Sequence, residues 1–338
     1  MKNADKNLPT VGFAMLSYND EKLIEECLKS IFSQNYPKNK IKVIFADGGS
    51  TDRTLEIAKK YGVQIIFRPD LINKAYKRGE LAAQALNTDL QMTFSMDNRL
   101  QEKNCLKKMV DTLNDSEIVG VETFRYGYSK SDPILSRYFA LIGGVDPIAI
   151  GLGKADRGPY DTERWHSFGG VKDKKNYFEI TFDSDVSKIP TLGANGFIVR
   201  RKALKFVGSF KNSLHIDTCA RLIETGYNKF AFVKNFHVIH YIDMPVLAFL
   251  KRRILWANAY SPNNMKRSYS VYCSKDWYRL LWIILTYTTI IFPLIRAIRG
   301  YIKKPDFAWF LHVYICPAFV LGYGLMLMRR IYGRIKVR

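Results

Sequence analysis

The stretch TVGFAMLSYNDEKLIEECLKSIFSQNYPKNKIKVIFADGGSTD, residues 10–52, decides the fold. It opens on a β-like apolar run, TVGFAMLS (10–17). Leu23, Ile24, Cys27, Leu28, Ile31 and Phe32 then recur at helical spacing, and IKVIFA (41–46) returns to a strand pattern. The same rhythm predicts a helix over 52–61, a strand over 63–67, a helix over 74–86, a strand over 90–95 and a helix over 101–113. Alternation of this kind predicts an α/β class with a parallel sheet covered on both faces. Ligands of such sheets gather at the carboxyl ends of the strands. The chemistry should therefore sit in Ser17-Tyr18-Asn19-Asp20 and in Asp47-Gly48-Gly49-Ser50-Thr51-Asp52, which follow the first two strands.

Composition narrows the class further. The chain has 338 residues, 47% hydrophobic and 25% charged, which excludes disordered, collagen-like and small disulfide-scaffold classes. Cys27, Cys105, Cys219, Cys273 and Cys316 are odd in number and show no metal-ligand spacing, as a reducing compartment would allow. The net charge of +21 is uneven, because residues 245–338 carry sixteen basic and two acidic side chains. These cations flank apolar runs instead of forming a basic face, so a membrane surface is the expected partner and nucleic acid is not. The polar start, Met1 to Pro9, has no secretory apolar run behind it, and the first domain is expected on the cytoplasmic side.

The C-terminal part changes solvent. Phe307–Met328 holds 22 residues without Asp, Glu, Lys or Arg. As a helix it reaches about 33 Å, enough to span a hydrocarbon core of about 30 Å. Leu280–Ile295 is a second uncharged run, but it reaches only about 24 Å and contains Pro293, so it is expected to be short, re-entrant or in the interface plane. The predicted organisation is an α/β domain over 8–245, a basic interfacial linker over 246–279 and membrane-attachment helices over 280–330. Within the last, 280–298 is the short segment and 307–328 the spanning candidate. Basic residues on both sides of 307–328, at 296–304 and at 329–338, leave the orientation of the tail open.

Asp47 at a strand end can accept hydrogen bonds from a base or ribose, and the glycines after it let backbone approach a ligand. A loop with an ordinary N-cap is the competing reading of the same letters. The neighbouring residues favour the ligand. Tyr18-Asn19, conservatively Ser17 and Asp20, the full string DGGSTD (47–52), and the helix closed by Tyr36-Pro37 together resemble the inverting family-2 glycosyltransferases. That resemblance, covering roughly residues 8–245, implies a GT-A fold, a Rossmann-like nucleotide-diphospho-sugar domain. It implies that Ser17, Asn19 and Asp20 line the nucleotide pocket, that Asp47 holds the base and that Arg78 reaches the ribose or diphosphate.

The family's metal-carrying Asp-x-Asp appears here as Ser95-Met96-Asp97, so Asp97 matches the second carboxylate and Ser95 replaces the first. By resemblance, Asp97 carries Mg²⁺ or Mn²⁺ with the donor diphosphate, Met96 lies beside the donor, and His240 is the further ligand. One carboxylate with water and diphosphate oxygens can hold such an ion, at reduced affinity. GANGFIVRRKAL (193–204) resembles the segment that floors the donor-sugar pocket, with Ala194 and Asn195 between glycines that leave room for a sugar. Asp217, followed by Arg221-Leu222 and Gly226-Tyr227, matches the general-base position; an N-cap carboxylate is the rival reading there, as it is for Asp97. Lys251-Arg252-Arg253 with Trp256 departs from the spacing of processive relatives, which disfavours polymer synthesis and leaves Arg252 to meet a diphosphate or lipid headgroups. The reading is a sugar transfer from a UDP- or GDP-sugar to a lipid-linked or membrane-proximal glycan acceptor. The alternative, raised by Ser95, is a catalytically silent, membrane-anchored sugar-nucleotide binding protein.

Overall fold

The computed structural model describes residues 7–206, 215–259, 267 and 269–336. Its first half runs β1 (Val11–Ser17), α1 (Glu21–Phe32), β2 (Ile41–Asp47), α2 (Thr54–Lys60), β3 (Gln64–Phe67), α3 (Ala75–Ala85), β4 (Leu90–Thr93), β5 (Asn98–Leu100), α4 (Cys105–Thr112) and β6 (Gly120–Tyr126). There follow α5 (Ile134–Ile142), α6 (Pro147–Gly151), β7 (Gly170–Asp173), β8 (Tyr177–Thr181), β9 (Phe197–Arg200), α7 (Arg201–Phe206), α8 (His215–Glu224) and β10 (Lys229–His240). The chain closes with α9 (Val246–Ala259), α10 (Trp277–Thr288), α11 (Ile291–Lys303) and α12 (His312–Lys336).

The α/β expectation holds over residues 10–113, with strands and helices within a few residues of their predicted places. The sheet itself corrects the reading. Among the described residues ten strands form one sheet in the order β3-β2-β1-β4-β9-β6-β10-β8-β7, with β5 paired to β10. β1, β2, β3 and β4 are parallel, but β9 lies antiparallel to both β4 and β6, and β8 is antiparallel to β10. A strand pattern records which face is buried and carries no direction, so alternation alone cannot see such an insertion. The β5 strand also starts directly after Asp97, which removes the N-cap reading of that residue; the helix expected from 101 begins at Cys105.

Both faces of the sheet are covered, and β2 shows why its run is continuously apolar. Val43 and Phe45 enter the core beneath α1 and α4, while Ile44 and Ala46 face Ala82 and Leu86 of α3 and its end. In α1 the buried residues Ile24, Cys27, Leu28 and Ile31 are the helical stripe read from sequence. A second core gathers β6, β8, β9 and β10 with α8.

A third core contains α5, α6, α9, α10, α11 and α12. The run expected as a linker thus includes α9, followed by a strap that reaches α10; residues 260–266 and 268 of that run lie outside the described residues. Two stretches are long and apolar enough to cross a membrane, 134–151 and 307–329, and the first is mostly buried in the protein. The 280–298 run is divided between α10 and α11, bent by 81° at the break between them. Pro293 in the first turn of α11 explains the break, since its ring cannot continue a helix arriving from α10.

The strap is held by buried charge. Lys154, fully buried in the turn after α6, donates to Asp276 Oδ2 at 2.5 Å and to the Val271 carbonyl at 2.7 Å. Lys154→Met removes the cation and strands Asp276 in a site where it is only 6% exposed. The expected loss is about 3–5 kcal/mol, read as a lowered midpoint in urea unfolding; a change under about 1 kcal/mol would contradict the assignment.

Candidate active site

The carboxyl ends of β1, β2 and β4 and the last residue of β10 meet around one crevice, and most of the predicted residues are there. Asn19 takes the left-handed conformation (φ +53°) that lets the chain turn out of β1, which asparagine tolerates better than most residues. Its Oδ1 accepts from the Thr51 amide at 2.9 Å and its own amide donates to Ser50 Oγ at 2.9 Å, so the loops after β1 and β2 are tied together. Asp47 is fully buried and organises the second loop: it accepts from the amides of Gly49 and Ser50 and from the hydroxyls of Ser17 and Ser50, at 2.5–2.8 Å. The residue expected to hold the base is therefore occupied by its own loop, and a base could be met only by exchanging one of these partners.

Arg78 is also placed differently from its expectation. Its Nη1 donates to the carbonyls of Leu71 and Ile72 at 2.8 and 2.6 Å, and the guanidinium lies against Gly48, where an added Cβ would come within 2.4 Å of Nη1. It braces the DGGSTD loop from behind. Met96 is turned into the first core and 4% exposed, so its side chain does not line the crevice.

Asp97 and His240 do converge, with His240 Nε2 at 3.4 Å from Asp97 Oδ2. Burial works to raise the Asp97 carboxyl, but His240 and then Arg252 outweigh it and hold it below the ordinary carboxylate value. Arg252, exposed on α9, thus faces this carboxylate electrostatically and sits over Trp256, 5.9 Å from the ring centroid. Asp20 shares the crevice. One of its oxygens accepts from the Tyr18 amide at 2.9 Å. Burial pushes its carboxyl from 3.8 to about 6, with the charges of Asp97, Asp52 and Asp47 adding to the rise and the Tyr18 amide opposing it.

A divalent ion fits this donor set only in part. No three His, Cys, Asp or Glu side chains converge on one point among the described residues, and Ser95 supplies no carboxylate. The chain offers one carboxylate and one imidazole in contact, hard and borderline donors that suit Mn²⁺ or Mg²⁺ when diphosphate and water oxygens complete the shell. The Asp20 carboxyl is raised chiefly by burial, with the neighbouring carboxylates adding to it.

Beneath the crevice lies a network that the sequence did not announce. Asn195 is left-handed (φ +47°) and follows Ala194 in the loop before β9. Arg157, fully buried, pairs with Glu122 of β6 and donates to the carbonyls of Ala194 and Asn195 at 3.4 and 3.1 Å. Glu122 accepts in turn from the Gly193 amide at 2.9 Å. Asn195 Nδ2 donates to Tyr126 Oη at 3.1 Å and lies 3.5 Å from His240 Nδ1, and Tyr126 donates to Asp156 at 2.6 Å. One connected chain thus runs from Glu122 and Arg157 through Asn195 and His240 to Asp97.

Asp217 sits in the first turn of α8, whose start packs against Gly193, but its carboxylate is 1% exposed. Arg267 Nε donates to its Oδ2 at 2.7 Å and the Tyr269 amide to its Oδ1 at 3.0 Å. The expected base is thus the anchor of the strap between α9 and α10.

A mixed sheet whose first four strands run parallel, with carboxylates around a crevice at their carboxyl ends and a loop of small residues as its floor, defines a nucleotide-sugar-binding α/β domain. The chain belongs to glycosyl transferase family 2, whose description "Glycosyl transferase family 2" matches residues 13–208. It is 25% identical over 233 residues to the probable glycosyltransferase YdaM of Bacillus subtilis, covering 66% of this chain and 49% of that protein. It is 31% identical over 107 residues to a dolichyl N-acetyl-alpha-D-glucosaminyl phosphate 3-beta-D-2,3-diacetamido-2,3-dideoxy-beta-D-glucuronosyltransferase of Methanococcus voltae, covering 30% of this chain and 33% of that one. The chain thus spans half or less of these relatives. Among solved structures, the fold is similar to mannosyltransferase PcManGT from Pyrobaculum calidifontis in complex with GDP-Man and Mn²⁺, at TM-score 0.54 and 15% identity over 94% of this chain and 87% of that one.

A carboxyl raised on folding favours the folded state only while it is protonated, so stability falls as pH rises from the unfolded value of 3.8 through about 6. In metal-free buffer Asp20→Asn should therefore melt above the wild type at about pH 7.5 and level with it at about pH 4. Equal melting temperatures at both pH values would show that the Asp20 carboxyl is not raised in the folded protein.

Proposed function

We propose that the chain transfers a sugar, with inversion, from a UDP- or GDP-sugar to a lipid-linked or membrane-proximal acceptor, its catalytic domain on the cytoplasmic side. The observation that carries this reading is the Asp97–His240 contact at the strand ends, backed by Asn195 and faced by Arg252. Asn19 and Asp20 border the nucleotide, with Ser17 and Asp47 holding their loop in shape. Ala194 and Asn195 floor the sugar. Arg157 fixes that floor by binding both of their carbonyls, so the sugar meets a preset surface.

Asp97 and His240 would hold the metal, which when bound supplies charge neutralisation of the departing diphosphate. Arg252 adds a second cation to the same task. Inversion requires one in-line displacement: the acceptor oxygen forms its bond to the anomeric carbon as the bond to the diphosphate oxygen breaks. A hydroxyl acceptor must lose its proton in that step, whereas a phosphate acceptor arrives ionised. Asp217, with both oxygens engaged by Arg267 and Tyr269, favours the second case, in which it positions the strap and abstracts no proton. The Methanococcus voltae relative, named for a dolichyl-linked sugar phosphate, supports a lipid-linked acceptor, and the PcManGT complex supports a Mn²⁺-assisted nucleotide sugar.

The silent binding protein remains the second reading because Ser95 stands where a carboxylate is expected. Both are decided by nucleotide release from a panel of UDP- and GDP-sugars with a membrane-lipid extract and Mn²⁺. Asp97→Ala should lower turnover at least about a hundredfold. Asp217→Asn should keep turnover within about tenfold, since removing a true general base costs about 10²–10⁴. Saturable donor binding without turnover in any mixture would instead favour the silent protein.

A further inference from the structure

The bent pair α10–α11 has one side packed on the protein and one side bare. On α10 the inward residues are Ile283, Thr286 and Tyr287, while Trp277, Leu281, Trp282 and Leu285 are exposed by half or more. On α11 the buried residues Pro293, Ala297 and Gly300 recur at helical spacing, and Gly300 is required there because an added Cβ would meet the Trp309 ring at 2.4 Å. The opposite stripe of α11 is Ile291, Leu294, Ile295, Ile298 and Ile302, all exposed. Trp282 and Phe292 touch edge to face at 6.2 Å between centroids, so the two bare faces form one apolar surface across the 81° bend.

Charge says what covers this surface. Arg279, Arg299 and Lys303 stand exposed at its rim, and none has a carboxylate within ion-pair distance among the described residues. From Trp277 to Pro305 the sequence contains no Asp or Glu. A second copy would bring like charges together, whereas an anionic lipid leaflet matches both the apolar face and the cationic rim. The helix backbone suits that solvent too: the exposed Thr288 hydroxyl donates to the Ile284 carbonyl of its own helix at 2.8 Å and needs no water.

The apolar C-terminal helix is engaged elsewhere. Trp309, Ile315, Cys316 and Phe319 are buried in the third core, His312 Nδ1 meets Tyr138 Oη at 2.8 Å, and Tyr323 donates to Asp146 at 2.8 Å. Asp146 also bonds Tyr272 of the strap and Arg253 of α9, so α12 as far as Tyr323 lies against polar parts of the catalytic domain. The other side of this stretch leaves Phe307, Tyr314, Leu321, Leu325, Leu327 and Met328 exposed, so it is the ties to Tyr138 and Asp146 that hold α12 on the catalytic domain.

We infer that the protein docks on one leaflet of an anionic membrane through the bare face of α10–α11, with α12 bracing the catalytic domain instead of crossing the bilayer. The inference rests on the proposed membrane acceptor and specifies how the crevice is brought to it, at headgroup level.

The test uses the full chain with a C-terminal epitope, floated with vesicles of phosphatidylcholine with or without about one third phosphatidylglycerol. Flotation should depend on the anionic lipid and should fall at least about tenfold in the double variant Leu281→Glu, Ile295→Glu, with its melting temperature and donor turnover on a water-soluble acceptor unchanged. In sealed vesicles the epitope should be cut by added protease without detergent. An epitope protected until detergent is added overturns the inference in favour of a span. Absence of flotation together with a concentration-dependent dimer lost in the double variant overturns it in favour of a second copy. Turnover without vesicle binding removes the docking alone; vesicle binding without turnover of any donor removes the transferase reading and leaves the docking intact.

Discussion

The pairing of Arg157 with Glu122 is the interaction on which the crevice depends. Both side chains are buried, and a buried ion pair costs less the more of its remaining donors and acceptors find partners. The loop that floors the crevice supplies most of them: Glu122 takes the Gly193 amide and Arg157 the carbonyls of Ala194 and Asn195, while Arg157 Nε has no partner among the described residues. The loop is therefore not a flexible connection but the third member of a charged core. Its conformation places Asn195 against His240 and Tyr126, and through His240 it reaches Asp97.

Two further buried carboxylates extend the same logic outward. Asp217 anchors the strap at Arg267 and Tyr269, and Asp276 anchors it again at Lys154. Lys154 and Arg157 lie three residues apart in the segment after α6, so the strap that leads into α10 is fastened to the segment that supports the floor of the crevice. The Lys154 carbonyl also accepts from the Thr191 amide at 3.0 Å, just before that floor. The helices with bare apolar faces are in this way mechanically continuous with the place where the sugar would sit. Asp146 makes the corresponding tie for α9 and α12, and it sits beside the helix that presents Arg252.

The parts legible in the sequence were those with a period or a fixed string. The stripe in α1, the doubly buried run in β2 and the strand-end loops at Asn19 and Asp47 appear where the pattern puts them, because burial imposes spacing locally. The parts that no spacing records have long-range causes. Nothing local in the charge cluster at 154–157 distinguishes a charge in water from Arg157 paired 35 residues away with Glu122. Asp47 and Arg78 carry a second set of bonds that no motif announces, to the amides, hydroxyls and carbonyls of the neighbouring loops. The 307–328 run is long and apolar enough for a span, as its spacing predicts, and a length rule cannot see that one side of the helix is packed on α5, α6 and α9.

The sequence by itself determined the family, the α/β class and the strand ends that carry chemistry, because these follow from local periodicity and from contiguous motifs such as DGGSTD. It also determined the cationic, acid-poor C-terminal part. Only the tertiary structure decided the antiparallel insertion of β9, the buried Arg157–Glu122 support, the engagement of Asp217 by Arg267 and the bare face shared by α10 and α11. Each of these depends on groups far apart along the chain meeting in a low-dielectric interior, where the energy lies in the pairing and no single segment records it.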